Sequence, residues 1–233
     1  MARKTNTRER KPYVIVFWEG ESEEAYMKFM RNEFHEHLNL TVNPQKGVFD
    51  AAKKAFSTSG IYADDTALVD EIWFVFDTEP ELRGKWDEYY ATVCQLRKTC
   101  KYSHTRLLMT KGCIEYYFMP HYEKTAPQIM SPADKERVLN DLKKKHCASY
   151  KKGDTASIYE IARNYPTAVK NGIWSLKRLE DELDGFMEGD ERDRRLFITD
   201  QTFSNVHEGI EYLIQLKEKT FKQCPCSKAH SFS

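Results

Sequence analysis

Glu71-Ile72-Trp73-Phe74-Val75-Phe76-Asp77-Thr78-Glu79 is the stretch that decides the fold. From Ile72 to Phe76 it is an unbroken series of β-branched and aromatic residues. Successive side chains of a strand point to opposite faces, so a strand that is apolar at every position is buried on both. That is the pattern of a mostly parallel sheet covered by helices on each side. The run passes directly into Asp77-Thr78-Glu79-Pro80, which leaves acids at the carboxyl end of the strand.

A second run of the same kind, Tyr13 to Trp18, lies upstream and ends in Glu19-Gly20. Ser22 is placed to cap a following helix, in which Tyr26, Phe29, Met30, Phe34 and Leu38 fall near helical spacing. A short strand around Leu40–Val42 stops at Asn43-Pro44, and Val48, Phe49, Ala52 and Phe56 predict a second helix. Residues 57–66 read as a loop. Beyond the deciding strand, Trp86, Tyr89, Tyr90, Val93, Leu96 and Cys100 mark a helix. Thr105–Met109 marks a fourth strand leading to Lys111-Gly112, and Ile114–Tyr122 a short helix. The order β-α-β-α-β-α-β predicts an α/β fold, a three-layer sandwich with right-handed crossovers. Residues 132–222 carry helix-length segments near 133–146, 157–163, 167–188 and 205–221, with an apolar stretch at Leu196-Phe197-Ile198. The chain therefore divides into a flexible basic arm (1–11), an α/β domain (12–130), a mostly helical extension packed on the sheet (131–222) and a disordered tail (223–233).

Composition narrows the classes of function. The 233 residues are 40% hydrophobic and 13% aromatic, enough for a sizeable core. Net charge is zero, from 36 basic and 36 acidic side chains. Such a chain is no bulk polyanion binder, and any nucleic-acid contact has to come from local patches. No apolar run approaches a bilayer-spanning length, and the polar, basic start has no signal-peptide core, so no membrane association is expected. The six cysteines form no disulfide framework, which points to the reducing cytoplasm. Cys224, Cys226 and His230 offer three ligands where structural zinc takes four, so the tail reads as disordered rather than metal-binding.

Glu19, Asp77 and Glu79 are the main candidates for chemistry. Ligands of open α/β sheets bind beyond the carboxyl ends of the strands. If the two acid-tipped strands are neighbours, the three carboxylates converge, repel and raise one another's pKa. A hard divalent cation relieves that conflict, and Mg²⁺ takes oxygen ligands from a few carboxylates plus substrate phosphate. Mn²⁺ serves equally. The competing reading is that each acid is only a helix cap or turn residue. Glu115 is a further acid near the same edge, His121 a candidate proton carrier, and Lys111 a candidate phosphate contact. The basic residues Arg3, Lys4, Arg8, Arg10 and Lys11 could add phosphate contacts, and Tyr89-Tyr90 and Tyr116-Tyr117 could stack bases or simply pack in the core.

Taken in order, the motifs resemble the RloB-like family, which is related to Toprim domains. Glu19-Gly20-x-Ser22-Glu23-x-x-Tyr26 resembles its first motif, and Ile72 to Glu79 resembles its strand ending in Asp-x-Asp. The segment Cys113 to Tyr122 resembles its Phe-Glu-Leu-Trp…His-Phe pattern. Tyr150-Lys151-Lys152 and Thr202 to His207 resemble later family patterns, so the likeness spans most of residues 13–214. Two departures stand out: Glu79 replaces the second Asp, and Thr110-Lys111-Gly112 replaces Ser-Asn-Pro. The resemblance implies a Toprim-like domain whose first Glu and Asp-x-Asp acids hold Mg²⁺ for phosphodiester cleavage. It also implies a nuclease of RNA or DNA in anti-phage defence, commonly with an AAA/ABC-type ATPase partner. The alternative is a non-catalytic module that binds nucleic acid or the ATPase. A sugar-nucleotide transferase fits Glu19-Gly20 and the helical half poorly, and a phosphoaspartyl phosphatase fits Glu79 and Glu81 poorly.

Overall fold

The computed structural model describes residues 10–183, 185 and 188–223. Four strands, β1 (Tyr13–Trp18), β2 (Asn39–Val42), β3 (Glu71–Thr78) and β4 (His104–Lys111), form one sheet in the order β2-β1-β3-β4. Every pairing is parallel, with Ile15 opposite Ile72 and Trp18 opposite Val75. Between them run α1 (Glu21–Phe34), α2 (Phe49–Ala55) and α3 (Trp86–Thr99). The predicted α/β architecture is what the chain adopts. The chain leaves β1 toward β2 and then returns to the other flank of β1 for β3. The strand order therefore reverses between β1 and β3, and such a switch point opens a crevice at the carboxyl edge.

Strand alternation splits the interior into two cores. Val14, Val16, Trp73 and Val75 face α1 through Tyr26, Met27, Met30 and Phe34. Ile15, Phe17, Ile72, Phe74 and Phe76 face α2 and α3 through Phe49, Phe56, Val93 and Leu96. The second half of the chain supplies α4 (Ile114–Phe118), α5 (Pro132–Lys145), α6 (Thr155–Ala162), α7 (Tyr165–Glu182), α8 (Asp190–Ile198) and α9 (Val206–Gln223). Helices α6 and α9 pack on α1, and α8 packs on α3. The edge of β4 is closed by Asn205, whose amide accepts from Met109 N–H at 2.6 Å and donates to Leu107 C=O at 2.9 Å.

Several boundaries differ from the sequence-based expectation. Strand β4 continues to Lys111, because the pairing with β3 extends to Thr78. The segment 114–122 is α4 followed by a 3₁₀ turn, Met119–His121, at the break imposed by Pro120. Leu196-Phe197-Ile198 is the end of α8. Gly20, not Ser22, occupies the N-cap of α1; the Ser22 hydroxyl instead accepts from Gly153 N–H at 3.0 Å. Arg10 pairs with Asp70 at 2.9 Å and Lys11 donates to His35 C=O at 3.0 Å. Both therefore lie at the amino edge of the sheet, opposite the crevice. Arg3, Lys4, Arg8, Cys224, Cys226 and His230 lie outside the described residues. Among the described residues no helix is long and apolar enough to cross a membrane, and Cys94, Cys100, Cys113 and Cys147 are free.

The Asn205 clasp replaces a missing strand partner, so Asn205→Ala leaves a buried N–H and C=O unsatisfied. Each such group costs about 1–3 kcal/mol. Chemical denaturation is expected to show Asn205→Ala less stable by about 2–4 kcal/mol.

Candidate functional site

Glu19 and Asp77 meet at the switch point. Glu19 follows β1 directly and continues its pairing, its N–H donating to Val75 C=O at 3.2 Å. Asp77 lies near the end of β3, and its N–H donates to the Glu19 carboxylate at 3.1 Å. The two side chains share a crevice of about 350 Å³ with Gly20, Glu21, Glu23, Lys46, Glu79 and Lys152. Like charges in a poorly solvated crevice oppose ionisation. Burial pushes the Asp77 carboxyl well above the usual carboxylate range, and Glu23, Glu19, Glu115 and Glu79 push it further. Its Oδ1 is buried and has no hydrogen-bond partner among the described residues.

Glu23 is the member of this cluster to which the sequence analysis gave no role. It sits in the first turn of α1, buried, with its carboxylate folded back over Gly20. A Cβ at position 20 would stand 2.3 Å from Glu23 Oε2, so glycine there makes room for the acid. Burial raises the Glu23 carboxyl to about 7, reinforced by Glu19 and Glu115; its own backbone N–H and Lys152 oppose the shift. The clue in the sequence was the spacing of Glu19 and Glu23, with Glu23 one turn into the predicted helix.

The other candidates divide. Glu115 in α4 is buried close enough to raise both Asp77 and Glu23, and it accepts from Tyr150 Oη at 2.9 Å. Glu79 lines the crevice but is half-exposed and paired with Lys135 of α5 at 2.7 Å. His121 does not line the crevice. It is enclosed by Tyr26, Tyr117 and Phe118, with Tyr26 Oη 3.1 Å from Nε2 and Tyr117 C=O 3.2 Å from Nδ1. Burial lowers its imidazole to about 3, which makes it a neutral core group rather than a proton carrier at neutral pH. Lys111 is buried, and its Nζ has no hydrogen-bond partner among the described residues. Strand alternation turns it away from Asp77, onto the face of Leu107 and Met109. Burial lowers its amine, and Arg83 lowers it further. Tyr116 and Tyr117 are core residues; Tyr89 is half-buried and Tyr90 donates to Asp190 at 2.8 Å.

The carboxylates fit a hard cation on one observation, the orphaned Oδ1 of Asp77 among neighbouring acids. Glu19 and Asp77 would hold it, with Glu79 available if released from Lys135. Among the described residues no group of three or more His, Cys, Asp or Glu side chains is arranged to hold a metal ion, so an ion at Glu19 and Asp77 would take its other ligands from water and substrate oxygens.

Fold and site define an α/β protein with an acidic crevice at the switch point of a parallel sheet. A family model described as RloB-like protein matches residues 14–213, and the chain belongs to that family. No curated protein and no solved structure matched it.

The acid cluster has a consequence for stability. A carboxyl whose folded pKa is raised stays protonated in the native state while the unfolded chain releases its proton. Stability is then lost as pH rises from the ordinary glutamate value of 4.5 to about 7. In EDTA the melting temperature is expected to fall across that window, and Glu23→Gln is expected to flatten the fall. An equal slope in both proteins would show that Glu23 is not held protonated.

Proposed function

We propose that this protein binds Mg²⁺ or Mn²⁺ at Glu19, Asp77 and Glu79 and hydrolyses phosphodiester bonds of nucleic acid. The carrying observation is the unpartnered, buried Oδ1 of Asp77 beside Glu19, Glu23 and Glu115. A bound divalent ion supplies charge neutralisation at a phosphate oxygen and a more acidic water. The chain's own residues do the rest. Asp77 and Glu19 form the acidic floor whose ionisation a cation would favour, and the Asp77 N–H fixes one oxygen of Glu19. The Glu23 carboxyl, raised to about 7 by burial, can take up and release a proton at working pH. Lys46 and Lys152 line the crevice and can meet phosphate. Tyr150 holds Glu115 in place. The proposal includes a Toprim-like lineage, a cytoplasmic setting in anti-phage defence and an ATPase partner of AAA or ABC type, all drawn from the family resemblance.

One observation favours a non-catalytic reading, in which the crevice belongs to a module that binds nucleic acid or the ATPase. Glu79, the Asp-x-Asp counterpart, is already neutralised by Lys135.

The purified protein, alone and with the ATPase of its genomic neighbourhood, is to be incubated with tRNA, single-stranded DNA or duplex DNA and Mg²⁺ or Mn²⁺. Cleavage is expected to fall at least about 100-fold in Glu19→Gln and in Asp77→Asn, the scale of losing charge stabilisation at a reacting phosphate. Their folds are expected to persist, since both changes nearly conserve volume. Mg²⁺ is expected to raise the melting temperature of the wild type and not of Asp77→Asn. Full phage protection by the double variant would establish the binding-module reading.

A further inference from the structure

A second cavity, of about 440 Å³, opens beside the acid crevice and shares Glu19 and Lys46 with it. Its walls are the 45–48 loop, the exposed side of α2 with Asp50, Ala51 and Lys54, and Tyr89 of α3. This volume falls low in the roughly 300–1,000 Å³ range of small-molecule sites. It suffices for one nucleotide. We infer that this cavity seats a single unpaired nucleotide adjoining the phosphate at the acids, so that the substrate is single-stranded. The inference rests on the proposed function and deepens it.

The loop is built to present its side chains. Trp18 Nε1 donates to Asn43 C=O at 2.8 Å, and the Asn43 amide donates to Gln45 C=O at 2.7 Å. Gly47 N–H donates to Trp18 C=O at 3.1 Å, anchoring the loop to the end of β1. Gly47 has φ +132°, a conformation other residues rarely adopt, and a Cβ there would meet Ala51 Cβ at 3.0 Å. Gln45 and Lys46 are exposed on this anchored loop, and Lys54 is exposed on α2. None of Lys46, Lys54 and Lys152 forms an ion pair among the described residues. Their charges therefore remain open to an anion.

The cations also lie in a sensible order. Of these two cavities, Lys54 lines only the second, Lys46 lies at the junction, and Lys152 lines only the acid crevice. A strand passing from one cavity to the other would meet lysines on both sides of the carboxylates. Tyr89 contributes an aromatic wall, its ring stacked on Phe49 at 4.1 Å between centroids. Gln45 offers an amide able both to donate to and accept from a base edge. A duplex has no splayed base to place there, whereas single strands give their bases to aromatic walls and their phosphates to basic grooves.

The test measures binding, so it does not depend on cleavage. Full-length protein in Ca²⁺ is titrated with fluorescein-labelled ten-nucleotide DNA and RNA and with a ten-base-pair duplex, followed by anisotropy. Single strands are expected to bind at least about 10-fold tighter than the duplex. Ala51→Phe, which fills the cavity without touching a charge, is expected to weaken single-strand binding about 10-fold and leave duplex binding unchanged. Lys46→Glu with Lys54→Glu is expected to lower the slope of log affinity against log salt by about 1.4, at roughly 0.7 per phosphate contact for single strands. Equal binding of duplex and single strand, no binding of either, or an Ala51→Phe variant that binds as wild type would each overturn the nucleotide subsite. Preference for AMP or UMP over both oligonucleotides would overturn the polymer and assign the cavity to a free nucleotide. Binding as expected with no cleavage under any metal would leave the subsite standing and remove the nuclease reading.

Discussion

The structure depends on β1 and β3 being neighbours. That pairing follows from the crossover that carries the chain back over β1 after β2, and everything at the carboxyl edge is fixed by it. With Trp18 opposite Val75, the residue after β1 and the penultimate residue of β3 stand side by side. Both are acids. The sheet thus brings like charges together and then surrounds them with apolar strands and helices, which denies them full hydration. The Asp77 N–H on the Glu19 carboxylate offsets part of this conflict, while Asp77 Oδ1 has no hydrogen-bond partner among the described residues. A fold that concentrates negative charge in this way is primed for a positive ligand.

The second half of the chain completes the site rather than only covering the sheet. The loop between α5 and α6 brings Gly153 N–H to the Ser22 hydroxyl, Tyr150 to Glu115 and Lys152 to the crevice. At Gly153, φ +74° and the closeness of Glu21 Oε2, 2.7 Å from an added Cβ, leave little alternative to glycine. Helix α5 adds Lys135 on Glu79. A boundary near residue 130 therefore separates stretches of different secondary structure, while the acid crevice draws on both.

The parts legible in the sequence were those that obey a local rule. Ile72–Phe76 and Val14–Trp18 are apolar at every position and rich in β-branched and aromatic residues, as a doubly covered parallel strand requires, and Glu19 and Asp77 follow them directly. What stayed hidden required tertiary packing. Glu23 looked like an ordinary acid in the first turn of a helix; only the fold shows it buried above Gly20. His121 looked chemically eligible until the Tyr26 and Tyr117 rings enclosed it. Lys111 followed a strand by sequence spacing but belongs to β4, and alternation then turns it to the far face. Ser22 had the right chemistry for a cap and was taken by a backbone N–H more than a hundred residues away.

The distribution of lysines bears on what the acids are for. If the cluster were a closed structural network, cations would be expected beside its most buried members, where they would let those carboxyls ionise. The reverse is found. Lys135 neutralises Glu79, the half-exposed acid, while Asp77 forms no ion pair among the described residues and Glu115 is met by a neutral tyrosine hydroxyl. Lys46 and Lys152 line the crevice without closing onto Asp77 or Glu19. The crevice thus offers acids to a cation and two amines, Lys46 and Lys152, to a phosphate. Neutral net charge fits the same design, since attraction for a polyanion is confined to the place where its phosphate would meet the acids.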